Sequence, residues 1–323
     1  MKEESVMKIM GPVHNMEGAK LQIKAGADEI YVGLRSPSKT GMNQMTFTGR
    51  YNKSGKKEVA QVQETDELKE ICKYAHENNV LVNFTANVRY LTQGLTGLYL
   101  EYVNTGIEAG IDTLIVGNIG AALLLKKEGI NVPLHSSTFL YGFNVEHIKF
   151  LEDIGFVRIV LATQFRMDEI REICKNTKAE IETFAQFTCS NINGRCNLLH
   201  TPYVSDLYDG YDMQCRGLYT IWNDNMKKDK IPILDAGLDC TICRIKELED
   251  AGVKVLKITG RDREPSFIAT ITKIYRMCAD LYSQGLSAEE VRSTLWEKAP
   301  WWKFYCNKPS CIYGDTSITK TYI

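Results

Sequence analysis

Five of the ten cysteines in this 323-residue chain fall in one stretch, at positions 189, 196, 215, 240 and 243. Thiolate is a soft ligand that suits zinc, copper(I) and iron–sulfur clusters, and a cluster gathers its ligands from loops tens of residues apart. Structural zinc sites favour paired knuckles, because two closely spaced cysteines supply two corners of a tetrahedron. Within this stretch only Cys240 and Cys243 have that form; Cys189, Cys196 and Cys215 are spaced as single ligands on separate loops. The pattern favours an iron–sulfur cluster over zinc. Unliganded buried thiols, which behave as small hydrophobes, are the remaining alternative. Cys306 and Cys311 offer a further pair near the end of the chain, and two ligands alone do not define a site.

These residues need a frame. Short apolar, β-branched runs alternate with amphipathic stretches, which places strands at 6–10, 29–34, 80–88, 112–116, 132–135, 157–162, 180–187 and 253–258. Helices are expected at 16–25, at 66–79 with Asp66 as its cap, at 95–109 and at 121–127. Three more are expected from Asn144, as a cap, to 154, at 167–176 and at 265–284. Eight strands with crossovers between them predict an α/β chain folded as a (β/α)8 TIM-like barrel, since parallel strands require such connections and become covered on the outside. No GxGxxG follows the first strand, which weakens the rival reading of an open, dinucleotide-binding sheet. The expected organisation is a barrel over 1–286, carrying a cysteine-rich insertion (188–243) after strand 7, and a short C-terminal extension over 287–323. The polar stretch 35–57 is too long for a simple connection and is expected to act as a lid.

In such a barrel chemistry sits at the C-terminal ends of the strands. That rule selects Gly33, Asn87, Asn118, His135 to Thr138, Thr163, Gln186, and Lys257 to Arg261. Lys257 and Arg261 are candidates to clamp carboxylates, arginine through its bidentate fork. His135 is the candidate to move protons near neutral pH. In the extension, Trp301, Trp302, Phe304 and Tyr305 would either stack a planar substrate or plug the bottom of the barrel or a subunit contact.

With 44% hydrophobic and 24% charged residues the chain reads as a globular enzyme, and a net charge of −1 gives no general pull on nucleic acid or membrane. RNA binding would therefore rest on a local patch such as Lys39, Arg50, Lys53, Lys56 and Lys57. No run of about 18 apolar residues occurs, so a cytoplasmic protein without a membrane span is expected. In that reducing compartment the cysteines read as ligands and buried thiols, not as a disulfide framework. There is no HExxH and no GxSxG, and the histidines at 14, 76, 135, 147 and 200 form no pair with ligand spacing, which weighs against a hydrolase.

Several motifs together resemble peptidase family U32, the collagenase-like family. Glu182, Phe184, Cys189, Gly194 and Cys196 match its Glu-x-Phe, Cys-x4-Gly-x-Cys hallmark, and Cys215-Arg216 with Tyr219 resembles its Cys-Arg-x-x-Tyr element. Cys240 lies where members carry Asp-Leu-Cys, and the run from Lys257 to Arg261 resembles Lys-Ile-Glu-Gly-Arg. Residues 26–33 and 135–138 match a second-strand and a His-x-Ser-Thr element. The resemblance implies a [4Fe–4S] cluster on Cys189, Cys196, Cys215 and Cys240, with Cys243 able to replace Cys240. It also implies an oxygen-independent hydroxylase acting on a small aromatic molecule or an RNA base, with prephenate as oxygen donor in some members. The family label implies a peptidase instead, and a non-catalytic, cluster-bearing subunit beside a homologous U32 partner, or a homodimer, is a further alternative. The chain departs from the pattern at Gln186-Phe187, Thr163-Gln164, Thr259 and Phe139, where charged or polar family positions have changed.

Overall fold

The computed structural model describes residues 7–35, 60–88, 91–186, 219–222, 228–231, 240–304, 306 and 311–312. Eight parallel strands close into a barrel: β1 (Lys8–Pro12), β2 (Glu29–Val32), β3 (Leu81–Ala86), β4 (Thr113–Val116), β5 (Leu134–Ser136), β6 (Phe156–Val160), β7 (Glu180–Phe184) and β10 (Val255–Lys257). Neighbours in the barrel are neighbours in sequence except that β10 joins β7 to β1. The intervening β8 (Tyr219–Trp222) and β9 (Lys228–Ile231) form an antiparallel hairpin inside the cysteine-rich insertion, where no element was expected.

Outside the barrel run α1 (Met16–Lys24), α2 (Thr65–Glu77), α3 (Thr96–Glu108), α4 (Ile119–Lys127), α5 (Val145–Ile154), α6 (Met167–Asn176), α7 (Ile245–Ala251) and α8 (Pro265–Ser283). Several strands are shorter than the apolar runs that announced them. Ile258, for example, is fully buried one residue past the end of β10, so burial rather than ladder pairing sets the length of the run. Asp66 is not the cap of α2: Glu64 occupies that position without a side-chain bond, and Asp66 lies in the first turn, where its charge suits the helix dipole. Asn144 does cap α5, its Oδ1 accepting from the His147 N–H at 2.8 Å. Asn144→Ala is expected to cost about 1 kcal/mol in urea denaturation, with no change in the slope of the transition.

Strand alternation sorts the buried side chains into two apolar clusters. The large one lies between the strands and the helices; the small one, Met10, Tyr31, Ile115 and Val255, faces the barrel axis. Glu29, Asn83, Thr85, Arg158, Glu182 and Lys257 add buried polar and charged groups along that axis.

The C-terminal extension adds α9 (Ala288–Lys298) and a 3-10 turn, Pro300–Phe304. Val291, Leu295 and Trp302 bury into the same cluster as the outer helices. Trp302 packs edge-on against Tyr275 of α8, centroids 6.2 Å apart, and Tyr275 in turn donates to the Ala185 carbonyl just beyond β7. The tryptophans therefore do not plug the bottom of the barrel; they brace its outer layer near the C-terminal ends of the strands. Among the described residues no helix is long and apolar enough to cross a membrane.

Candidate active site at the barrel mouth

A column of charge runs along the barrel axis. Near the N-terminal ends of the strands, Arg158 of β6 makes a bidentate pair with Glu29 of β2, at 2.6 and 2.8 Å. It also donates to Glu180 at 2.6 and 2.9 Å and reaches Glu182 at 3.5 Å. Lys8 lies 3.9 Å from Glu29 and 3.7 Å from Glu180. Glu182 passes the column upward by accepting from Lys257 at 2.8 Å. Burial alone would raise the Glu29 carboxyl, but the Arg158 fork outweighs it and holds the group below the usual carboxylate range. Arg158 is driven the other way, its charge locked in by the three carboxylates.

This placement changes what the candidate residues can do. The Lys257 ammonium is compensated by Glu182 and sits 4.5 Å over the Tyr31 ring, so its charge is spent inside the barrel. His135 is 4% exposed, and its Nδ1 is buried without a hydrogen-bond partner. Burial first, then Arg158, Lys257 and Lys8, depress its pKa well below the ordinary histidine value. These surroundings favour the neutral imidazole, so any proton it moves would be one it accepts against the nearby positive charges. Above about pH 6.5 both folded and unfolded states are neutral at this residue; below it only the unfolded chain takes the proton, and stability falls by up to about 1.4 kcal/mol per pH unit. Urea denaturation at about pH 7.5 and about pH 5.5 should show a smaller loss in His135→Gln than in the parent, and equal losses would contradict it.

Above the column the mouth is lined from several strand ends. Arg261 follows β10 and is 3% exposed, with its guanidinium 5.5 Å from the Tyr31 ring and its Nη1 2.9 Å from Thr85 Oγ1 and 3.5 Å from Gln61 Oε1. It turns inward, while Glu264 caps α8 by accepting from the Phe267 N–H at 2.8 Å. A Cβ on Gly33 would stand 2.6 Å from Arg261 Nη1 and 2.2 Å from Gln61 Oε1, so the absent side chain is what admits the guanidinium. Gln186 and Thr259 bond each other's backbones at 3.1 and 3.0 Å, leaving Gln186 Oε1 buried and unpartnered, as is Asn87 Oδ1. Asn118 instead caps α4, and Ser137 caps the short turn that follows β5. Tyr31, Gln61, Thr85 and the Glu29–Arg158 pair escaped the sequence reading; for all but Gln61, which lies outside the strands, the signal available was polar residues at alternate positions of otherwise buried strands.

Cys240 lies at the rim. It bridges Gln186, and the next residue, Thr241, is tied to the Ala185 carbonyl through its N–H (3.1 Å) and hydroxyl (3.0 Å). Its sulfur accepts from the Ile242 N–H at 3.5 Å and lies against the Tyr275 hydroxyl and the Trp302 indole, donors that suit an anionic ligand sulfur. Burial pushes the free thiol up to about 12, so the thiolate needs a metal to draw its proton off. Cys189, Cys196 and Cys215 lie outside the described residues, as do the lid segment from 36 onward and its basic patch.

The family model for peptidase family U32 matches residues 14–305. The chain belongs to that family. A protein named collagenase from Porphyromonas gingivalis is 28% identical over 310 residues, covering 88% of this chain and 68% of that one. The 23S rRNA 5-hydroxycytidine C2501 synthase of Escherichia coli is 29% identical over 282 residues, covering 85% of this chain and 39% of the synthase. The tRNA hydroxylation protein P1 of Bacillus subtilis is 24% identical over 290 residues, covering 85% and 63%. The chain thus spans well under half of the synthase and just under two thirds of the tRNA protein. These relatives are named for hydroxylation or for proteolysis.

Proposed function

We propose that this U32 chain is an oxygen-independent hydroxylase whose substrate is an RNA base, with a free small aromatic molecule as the second choice. The reading rests on one observation: relatives named for hydroxylating rRNA and tRNA align over 85% of the chain. Two features of the mouth support it. A ring of amides and hydroxyls (Gln61, Thr85, Asn87, Gln186 and Thr259) beside one guanidinium offers edge contacts to a planar polar ring. Cys240, at the rim, sits in surroundings that fit a cluster ligand, and with Cys189, Cys196 and Cys215 would hold a [4Fe–4S] group, which when bound supplies one-electron transfer. Arg261 would bind a carboxylate of the oxygen donor, prephenate or a similar acid, and Lys257 would keep the floor of the mouth in shape through Glu182 and Tyr31. A second U32 chain as partner is proposed because Bacillus subtilis has two similar tRNA hydroxylation proteins, P1 and P2, at 24% and 26% identity.

The test has two readouts. Protein purified without oxygen should contain about four irons and four sulfides per chain. RNA from a host lacking the gene should lose one hydroxylated nucleoside by mass spectrometry and regain it on complementation. Colourless, iron-free protein that cleaves gelatin would overturn the reading in favour of a peptidase. An intact cluster with unchanged RNA nucleosides would move the substrate to a small aromatic molecule.

A further inference from the structure

We infer that Cys243, Cys306 and Cys311 form a separate soft-metal site, with Zn2+ the expected ion, that fastens the C-terminal segment to the barrel. The inference stands apart from the hydroxylase reading, since it uses none of the mouth residues and only one thiol of the cysteine-rich stretch.

The sequence holds two knuckle spacings far apart, Cys240-x2-Cys243 and Cys306-x4-Cys311. The fold joins them. Cys311 pairs in parallel with Cys240, and the next residue, Ile312, donates its N–H to the Cys240 carbonyl at 3.1 Å. Cys306 donates its N–H to the carbonyl of buried Trp302 at 3.0 Å, and Trp302 rests on Tyr275. Both C-terminal thiols are thus fixed beside the turn Ile242–Arg244 that carries Cys243. Each of the three sulfurs lies within electrostatic reach of the other two.

Charge and exposure fit an ion. Three thiolates on a divalent cation leave one negative charge. Arg292 of α9 lies beside the Cys243 sulfur, and Arg244 and Arg292 both neighbour Cys311. Cys243 and Cys306 are half-buried and Cys311 is exposed, which gives the ion a route in and a fourth position for water. Cys240 is outside the set, because its sulfur faces inward against Tyr275 and Trp302, whereas the three chosen sulfurs neighbour one another. Among the described residues no three ligating side chains already converge on one point. The ion is therefore expected to draw the three sulfurs together as it binds, so that its binding energy appears as docking of the C-terminal segment. Paired cysteines in a reducing compartment serve as ligands more readily than as disulfides.

The test uses the full chain, purified anaerobically from zinc-supplemented medium, with metals measured by mass spectrometry and affinity by competition with a chromophoric chelator. The parent should hold about one zinc per chain. Cys243→Ser and the Cys306→Ser/Cys311→Ser double variant should lose at least about tenfold in zinc affinity, while their iron content and visible spectrum match the parent. Cys240→Ser should keep its zinc whatever it does to the iron. Chelation should speed tryptic cleavage after Lys303 in the parent and change nothing in the double variant. Circular dichroism confirms that each variant is folded. Zinc in the parent no higher than in the double variant, zinc lost only with Cys240, or these thiols recovered as a disulfide would each overturn the inference.

Discussion

Arg158→Ala is expected to cost about 3–5 kcal/mol in urea denaturation near neutral pH, the largest stability loss of any single replacement along the barrel axis. The guanidinium is the shared partner of Glu29, Glu180 and Glu182, and two of those carboxylates are essentially sealed from water. Without it Glu29 and Glu182 are like charges in a closed space, with Asn83, Lys8 and Lys257 left to hold them. Arg158→Lys keeps a charge but not the fork, and should recover only part of the loss. Combining Arg158→Met with Glu29→Gln removes both halves of the closest pair and should be milder than Arg158→Ala, as found when a whole buried pair is replaced. A cost below about 1 kcal/mol would mean the column behaves like an exposed ion pair. The pair also sets acid sensitivity. Because the Glu29 carboxyl is held below its unfolded value, its contribution is complete above about pH 4.3 and is lost as pH falls further.

The second large effect concerns colour. Replacing Cys189, Cys196, Cys215 or Cys240 singly by alanine is expected to abolish the brown chromophore of anaerobically purified protein, because a cubane cluster that loses one protein thiolate is exposed to hydrolysis and oxidation. Cys72→Ala is the control. Its thiol is buried in α2 and pushed up to about 12, mainly by burial, so it is an inert core group. Cys243→Ala should also keep its colour, which separates it from Cys240 as the fourth ligand. Equal loss across all six variants would mean that the colour reports on folding and not on ligation.

The barrel was legible because its outer face follows a rule with few exceptions: Ile30, Val32, Val82, Phe84, Leu114 and Val116 alternate toward the helices and are fully buried. The inner face was not. Glu29, Arg158 and Glu182 are charged residues in or at the start of apolar runs, and sequence periodicity reads such positions as solvent-facing; only closure of the sheet places them opposite one another. The mouth was half legible. The strand-end rule found Arg261, Asn87 and Gln186, but it also selected Asn118, whose side chain serves its helix, and Lys257, whose charge is committed to Glu182. Gln61 was missed because it belongs to the return of a long excursion, and nothing local marks where such an excursion re-enters. The C-terminal cysteines carried too little on their own; a pairing across more than sixty residues supplied the missing neighbour.

The entry and exit of the excursion after β2 have a consequence for engineering. The Arg35 N–H donates to the Val62 carbonyl and the Val62 N–H to the Gly33 carbonyl, both at 2.8 Å, so the chain returns to the backbone position it left. A short turn can span that gap, and the entropic cost of lengthening a loop grows only slowly with its length. Because the anchors pair with each other, the length between them can change in this chain while the strands keep their register.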